Sequence, residues 1–167
     1  MAVIHDKDRL EGATSLQAWK DAAAEQLEGM QAGCAARLAN SADTAGSADS
    51  KNPEEAGGVP AGIRLRVAPV LSRRAMAMAV RYSLYLLEKR APGPGVEVRV
   101  APYAAVKVLE GPASDPHNLT PPDVIELEPA VWLRLACGVT RWQEEKDAGH
   151  ITAVGPRDDL HRFLPLV

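Results

Sequence analysis

A chain of 167 residues, 46% apolar and 25% charged, has the balance of one globular domain with some length to spare. Its net charge of −3 excludes a general pull toward nucleic acid or anionic surfaces. Three Trp, three Tyr and one Phe leave few platforms on which bases or sugars could stack.

The N-terminal MAVIHDKDRLEG carries no apolar core of signal-peptide length. No run reaches the roughly 18–20 apolar residues of a membrane span; the best, residues 75–87, is short and broken by Arg81. A cytoplasmic location without a membrane span is therefore expected. Leu16, Trp19, Ala23, Leu27, Met30, Cys34 and Leu38 recur at steps of three and four, which predicts a helix over 14–39 started by Thr14 or Ser15, with Cys34 packed on its apolar face. NSADTAGSADSKNPEEAGG then has no apolar residue larger than Ala, so ordering it would bury almost nothing against the entropy lost. The organisation expected is an N-terminal helical segment over 1–39, a flexible linker over 40–58 and a compact domain over 59–167.

IRLRV (63–67) alternates as a half-buried strand does. Ser72 can cap a helix over 73–90, with Met76, Val80, Leu84 and Leu87 on one face and Arg74, Arg81 and Glu88 on the solvent line. APGPG stops that helix. VEVRV (96–100) and AAVKV (104–108) read as a hairpin through Pro102 and Tyr103, with Glu97 and Arg99 facing water and Lys107 across from them. Residues 111–123 read as a loop and VIEL (124–127) as a strand. Pro129 opens a helix through Cys137 that Gly138 stops; Thr140 and Gln143 have capping-box spacing for a second helix, closed by Gly149. HITAV (150–154) is a fifth strand, and DDLHRFLPL a last short helix with Leu160, Phe163 and Leu164 inward. The order β-α-β-β-β-α-α-β-α predicts an α+β fold with one mostly antiparallel sheet.

The stretch from VIELEPAVWLRLACG to GHITAVGPRDDLHRFLPL resembles the C-terminal half of sterol carrier protein-like domains: a strand, acidic residues (Glu126, Glu128), a helix ending at Gly138, a second helix, and a strand between Gly149 and Gly155. MAVRYSLYLLEKRAPGPGVEVRVAPYAAVKVLEGP is similar to the bacterial, mainly actinobacterial, branch, so the likeness spans about residues 70–167. It implies a five-stranded sheet backed by helices around an apolar tunnel for a sterol, fatty acid or acyl chain. It brings no catalytic residue, cofactor or metal. The lining expected on this fold is Met76, Val80, Leu84, Leu87, Val98, Val106, Leu133, Leu135, Leu160 and Phe163. The 111–123 loop is acidic and holds His117, whereas relatives tend to be Thr- and Gly-rich there.

The other chemical readings are weak. Cys137 closes a helix, whose negative end disfavours a thiolate, and His150 is a full helix away, so a Cys–His nucleophile is not expected. Asp115, His117 and Asp123 share a loop but match no metal-ligand spacing. Arg73, Arg74 and Arg81 read as a solvated face that could also steer an acidic head group. Trp132 is expected in the core, and Trp142 partly exposed near an entrance. Non-enzymatic binding of a hydrophobic molecule or lipid is therefore the expected function. The alternative is an interaction module with a filled core, residues 14–39 docking on a partner or a second copy.

Overall fold

The computed structural model describes residues 3–40, 59–111, 123–157 and 159–167, and only the backbone of residues 35–40. Residues 41–58 of the expected linker and most of the 111–123 loop, with Asp115 and His117, lie outside it. None of its helices is long and apolar enough to cross a membrane.

The first helix, α1 (Arg9–Asn40), starts earlier than the cap signal implied. Thr14 lies inside it and donates its hydroxyl to the Leu10 carbonyl, while Ser15 is buried, so neither residue caps. Leu16, Trp19 and Ala23 bury as their spacing requires, against α3 (Arg73–Arg90). Gly12 makes the close approach possible: a Cβ there would lie 2.7 Å from the Cβ of Tyr82. Cys34 departs from expectation and is exposed. A helix of 32 residues is about 48 Å long against about 27 Å for the 18 residues of α3. The periodic stripe therefore outruns its partner.

Residues 63–67 are not a strand. Ala61–Arg64 form a short helix, α2, followed by a turn, with Ile63, Arg64 and Leu65 N–H groups bonded back to Pro60 or Ala61. Pro60 is preset for a helix start. Arg64 pairs with Glu144, and the Val67 carbonyl accepts from Arg134 at 3.0 Å. The arginine thus satisfies a backbone carbonyl that a sheet ladder would otherwise have to satisfy.

Ser72 caps α3 as expected, its hydroxyl oxygen accepting from Ala75 N at 3.2 Å. The sheet has four strands among the described residues: β1 (Pro92–Val100), β2 (Ala104–Val108), β3 (Val124–Leu127) and β4 (Ile151–Val154). Their order is β2-β1-β3-β4. β1 runs antiparallel to β2 but parallel to β3, and β3 antiparallel to β4, so the sheet is mixed. Val106, Val98, Ile125 and Ala153 lie in register across it and face the helices. Lys107, Glu97 and Val124 form a row on the opposite face. The Pro-Gly run that stops α3 also begins β1, through a register shift between Pro92 and Val96. Gly93, at φ +150°, sits where a Cβ would fall 2.0 Å from the Leu109 carbonyl oxygen.

Helix α4 (Pro129–Ala136) has Pro129 in its first turn and ends at Gly138, φ +72°. Helix α5 (Trp142–Asp147) ends at Gly149, φ +74°. Its reciprocal cap is not Thr140–Gln143; the Arg141 N–H donates to the Glu144 carboxylate at 2.8 Å. The last predicted helix shrinks to a single 3-10 turn, His161–Phe163. Past it the tail is extended, because the Arg90 guanidinium holds the carbonyls of Phe163, Pro165 and Leu166, and Leu166 N donates to the Ala136 carbonyl at 2.8 Å.

Candidate functional site

The packed apolar core between α3, α4 and the sheet brings together the ten residues expected to line a ligand. Val80, Leu84 and Leu87 come from α3, Val98 and Val106 from the sheet, Leu133 and Leu135 from α4, and Leu160 from the tail; all eight are buried in one cluster. Met76 and Phe163 are partly buried against it. Three surface clefts among the described residues take none of the ten. Trp132 is fully buried, as expected, and its indole N–H donates to the Ser83 hydroxyl at 2.7 Å. Ser83 in turn donates to the Val80 carbonyl, so one hydroxyl fixes α4 against α3. Trp142, expected to be partly exposed, is instead buried, because the short α5 turns it inward.

The polar centre of the molecule escaped the sequence reading. Arg134 lies in the apolar run PAVWLRLA and is buried. Its guanidinium donates to both oxygens of Glu145 at 2.7 and 3.0 Å, and Glu145 has no exposure at all. Thr140, read as a cap, instead donates its hydroxyl to Glu145 at 2.7 Å. His150 Nδ1 lies 2.6 Å from the other carboxylate oxygen. An ionised carboxylate only accepts, so that nitrogen carries the proton. Burial raises the Glu145 carboxyl, but hydrogen bonds from Arg134, Thr140 and His150, with the arginine's charge, outweigh it and leave the group below its ordinary value. The available signal was the charge itself: an arginine inside a buried helical run requires a partner.

His150 borders a cleft of about 390 Å³ with Glu126, Glu128 and Thr152 at the ends of β3 and β4. No group of three or more His, Cys, Asp or Glu among the described residues could hold a metal. Asp123, the described member of the loop trio, is buried and accepts from the Arg157 backbone and guanidinium at 3.1 and 3.3 Å. Burial pushes the Cys137 thiol up to about 11, which disfavours the thiolate that a nucleophile needs.

The family model described as bacterial SCP ortholog matches residues 72–166. The chain belongs to that family. In this SCP-family chain the matched stretch begins at Ser72, the cap of α3, and ends at Leu166, which bonds to the end of α4. It takes in α3, all four described strands, α4 and α5; α1 and α2 precede it. A search of curated proteins found no match to the chain.

Proposed function

We propose that this SCP-family chain binds a lipid or other hydrophobic molecule, such as a sterol, fatty acid or acyl chain, without catalysing a reaction. The observation that carries this reading is the family match over the elements that contribute the apolar lining. The ligand would occupy a tunnel between α3, α4 and the inner face of the sheet, lined by the ten residues named above. Its binding would be driven by leaving water, at roughly 25 cal/mol per Å² of apolar surface buried. Because Val80, Leu84, Leu87, Val98 and Leu133 are fully packed against one another, uptake requires α3 to move away from the sheet. Met76, at the partly covered end, suits such an opening, since its thioether chain adapts to varied shapes. A cytoplasmic protein that transfers its ligand between carriers completes the reading. Native mass spectrometry of protein purified without detergent, with titration of a fluorescent fatty acid, tests it. Co-purifying lipid or saturable uptake supports it; repeated absence of both defeats it.

The same full packing supports a second reading, an interaction module whose core stays filled. Leu16, Trp19 and Ala23 are occupied within the chain, so docking would fall to the far half of α1, where Glu28, Gln31 and Cys34 are exposed. Sedimentation of the wild type and of a Glu28→Arg/Gln31→Arg variant tests this. Self-association lost in the variant, with no lipid uptake in either protein, favours the module.

A further inference from the structure

Outside the core, α3 presents Arg74, Ala77, Met78 and Arg81 along one stripe, at the i, i+3, i+4, i+7 spacing of a helix face. Opposite this stripe stand Pro102 and Tyr103 of the β1–β2 turn, and Asp8 and Arg73 complete the lining of a cleft of about 630 Å³. Its lining is mixed: the Asp8 carboxylate and the arginines alternate with Ala77, Met78, Pro102 and Tyr103, of which Met78 is buried and Tyr103 packs against the core. Its cationic groups are not equivalent. Arg74 is engaged by both carboxylate oxygens of Glu11, at 2.5 and 2.7 Å, with Asp8 close enough to act on its charge. Arg81 is half-buried, and its Nε donates to the Tyr103 carbonyl at 3.3 Å. That single bond orients the guanidinium and leaves its two terminal amino groups free of protein partners among the described residues. Arg73 has no carboxylate partner among them. The first turn of α3 also holds no acidic side chain to offset its positive end.

We propose that this cleft binds the oxyanion head, carboxylate or phosphate, of an anionic amphiphile, with Arg73 and Arg81 holding the head and Ala77, Met78, Pro102 and Tyr103 covering the start of its chain. The inference rests on the lipid-binding reading and specifies its ligand class. A guanidinium fork matches the geometry of either oxyanion. The apolar members of the lining, Ala77, Met78, Pro102 and Tyr103, favour an anion that carries an apolar tail over a bare one.

The test is a titration of the full chain with laurate, dodecyl phosphate, dodecanol and inorganic phosphate, the amphiphiles kept below micelle-forming concentrations. Wild type, Arg73→Gln, Arg73→Gln/Arg81→Gln and Arg66→Gln are compared, circular dichroism confirming that each folds; Arg66 is exposed and lies outside the cleft. A charge-assisted hydrogen bond contributes about 1.5–3 kcal/mol, so the two anions should bind roughly tenfold or more tighter than dodecanol and lose that margin in the double variant. Arg73→Gln should lose part of it, and Arg66→Gln none. Dodecanol binding as tightly as laurate, or anion affinities unchanged in the double variant, overturns the oxyanion site and leaves the lipid-binding reading standing. Phosphate binding that depends on the two arginines, without uptake of any amphiphile, supports a site for a free oxyanion and defeats the lipid reading. Binding of none of the four overturns both.

Discussion

At the residue scale the most consequential group is Glu145, an unexposed carboxylate held by Arg134, Thr140 and His150. Removing one partner of a buried pair leaves the other charge uncompensated, so Glu145→Ala should lower unfolding stability by roughly 3–5 kcal/mol, measured by urea denaturation at pH 7. The pH dependence follows from the direction of its shift. Its carboxyl titrates lower in the folded chain than in the unfolded one, so it contributes stability above the ordinary carboxylate range. That contribution is lost as pH falls through the folded value. Denaturation midpoints followed from pH 7 downward should therefore drop less steeply for Glu145→Gln than for the wild type. The two cysteines divide in the same physical terms. Cys34 is exposed and should react promptly with a thiol reagent at pH 7.5, whereas Cys137, buried and raised to about 11, should react only on unfolding. Thiol counting before and after denaturant checks this, and Cys34→Ser should abolish the fast phase.

At the element scale one glycine sets a distance that a side chain would not allow. Gly155, at φ +107°, would place a Cβ 2.1 Å from the Asp123 carboxylate that binds Arg157. Gly155→Ala therefore combines backbone strain of about 1–3 kcal/mol with the displacement of Asp123, and its melting temperature should fall by several degrees. The element boundaries of α3, β2 and β3 were legible because amphipathic periodicity, Ser72 and the flanking Pro and Gly agree with one another. IRLRV was misread because an alternation of five residues cannot tell a strand from a turn whose polar groups bond to distant side chains. Arg64 reaches Glu144 and Val67 reaches Arg134, pairings absent from any local window. The residues expected to line a ligand on α3, α4 and the strands were legible as inward positions, while the Arg134–Glu145 centre was not, since Thr140 read locally as a cap and Arg134 meets Glu145 across two different helices.

At the scale of the molecule, α1 contributes Trp19 and Leu16 to the core shared with the sheet. A chain lacking residues 1–58 should lose cooperative thermal unfolding in circular dichroism, because those buried surfaces would then meet water. Ligand uptake, where it occurs, should raise the melting temperature of the full chain with ligand concentration, as any binder of the folded state does. What the amino-acid order settled alone is the class of the fold, the inward faces of α3, the strands and the first half of α1, and the stops at Gly138, Gly149 and Gly155; these follow from periodicity and backbone freedom within a few residues. Only the tertiary structure decided that β1 and β3 run parallel, that residues 63–67 leave the sheet, and that Arg134, Glu145 and His150 meet. It also turned Arg73 and Arg81 toward one cleft. Those outcomes depend on contacts between residues far apart in the chain, whose energies no local pattern encodes.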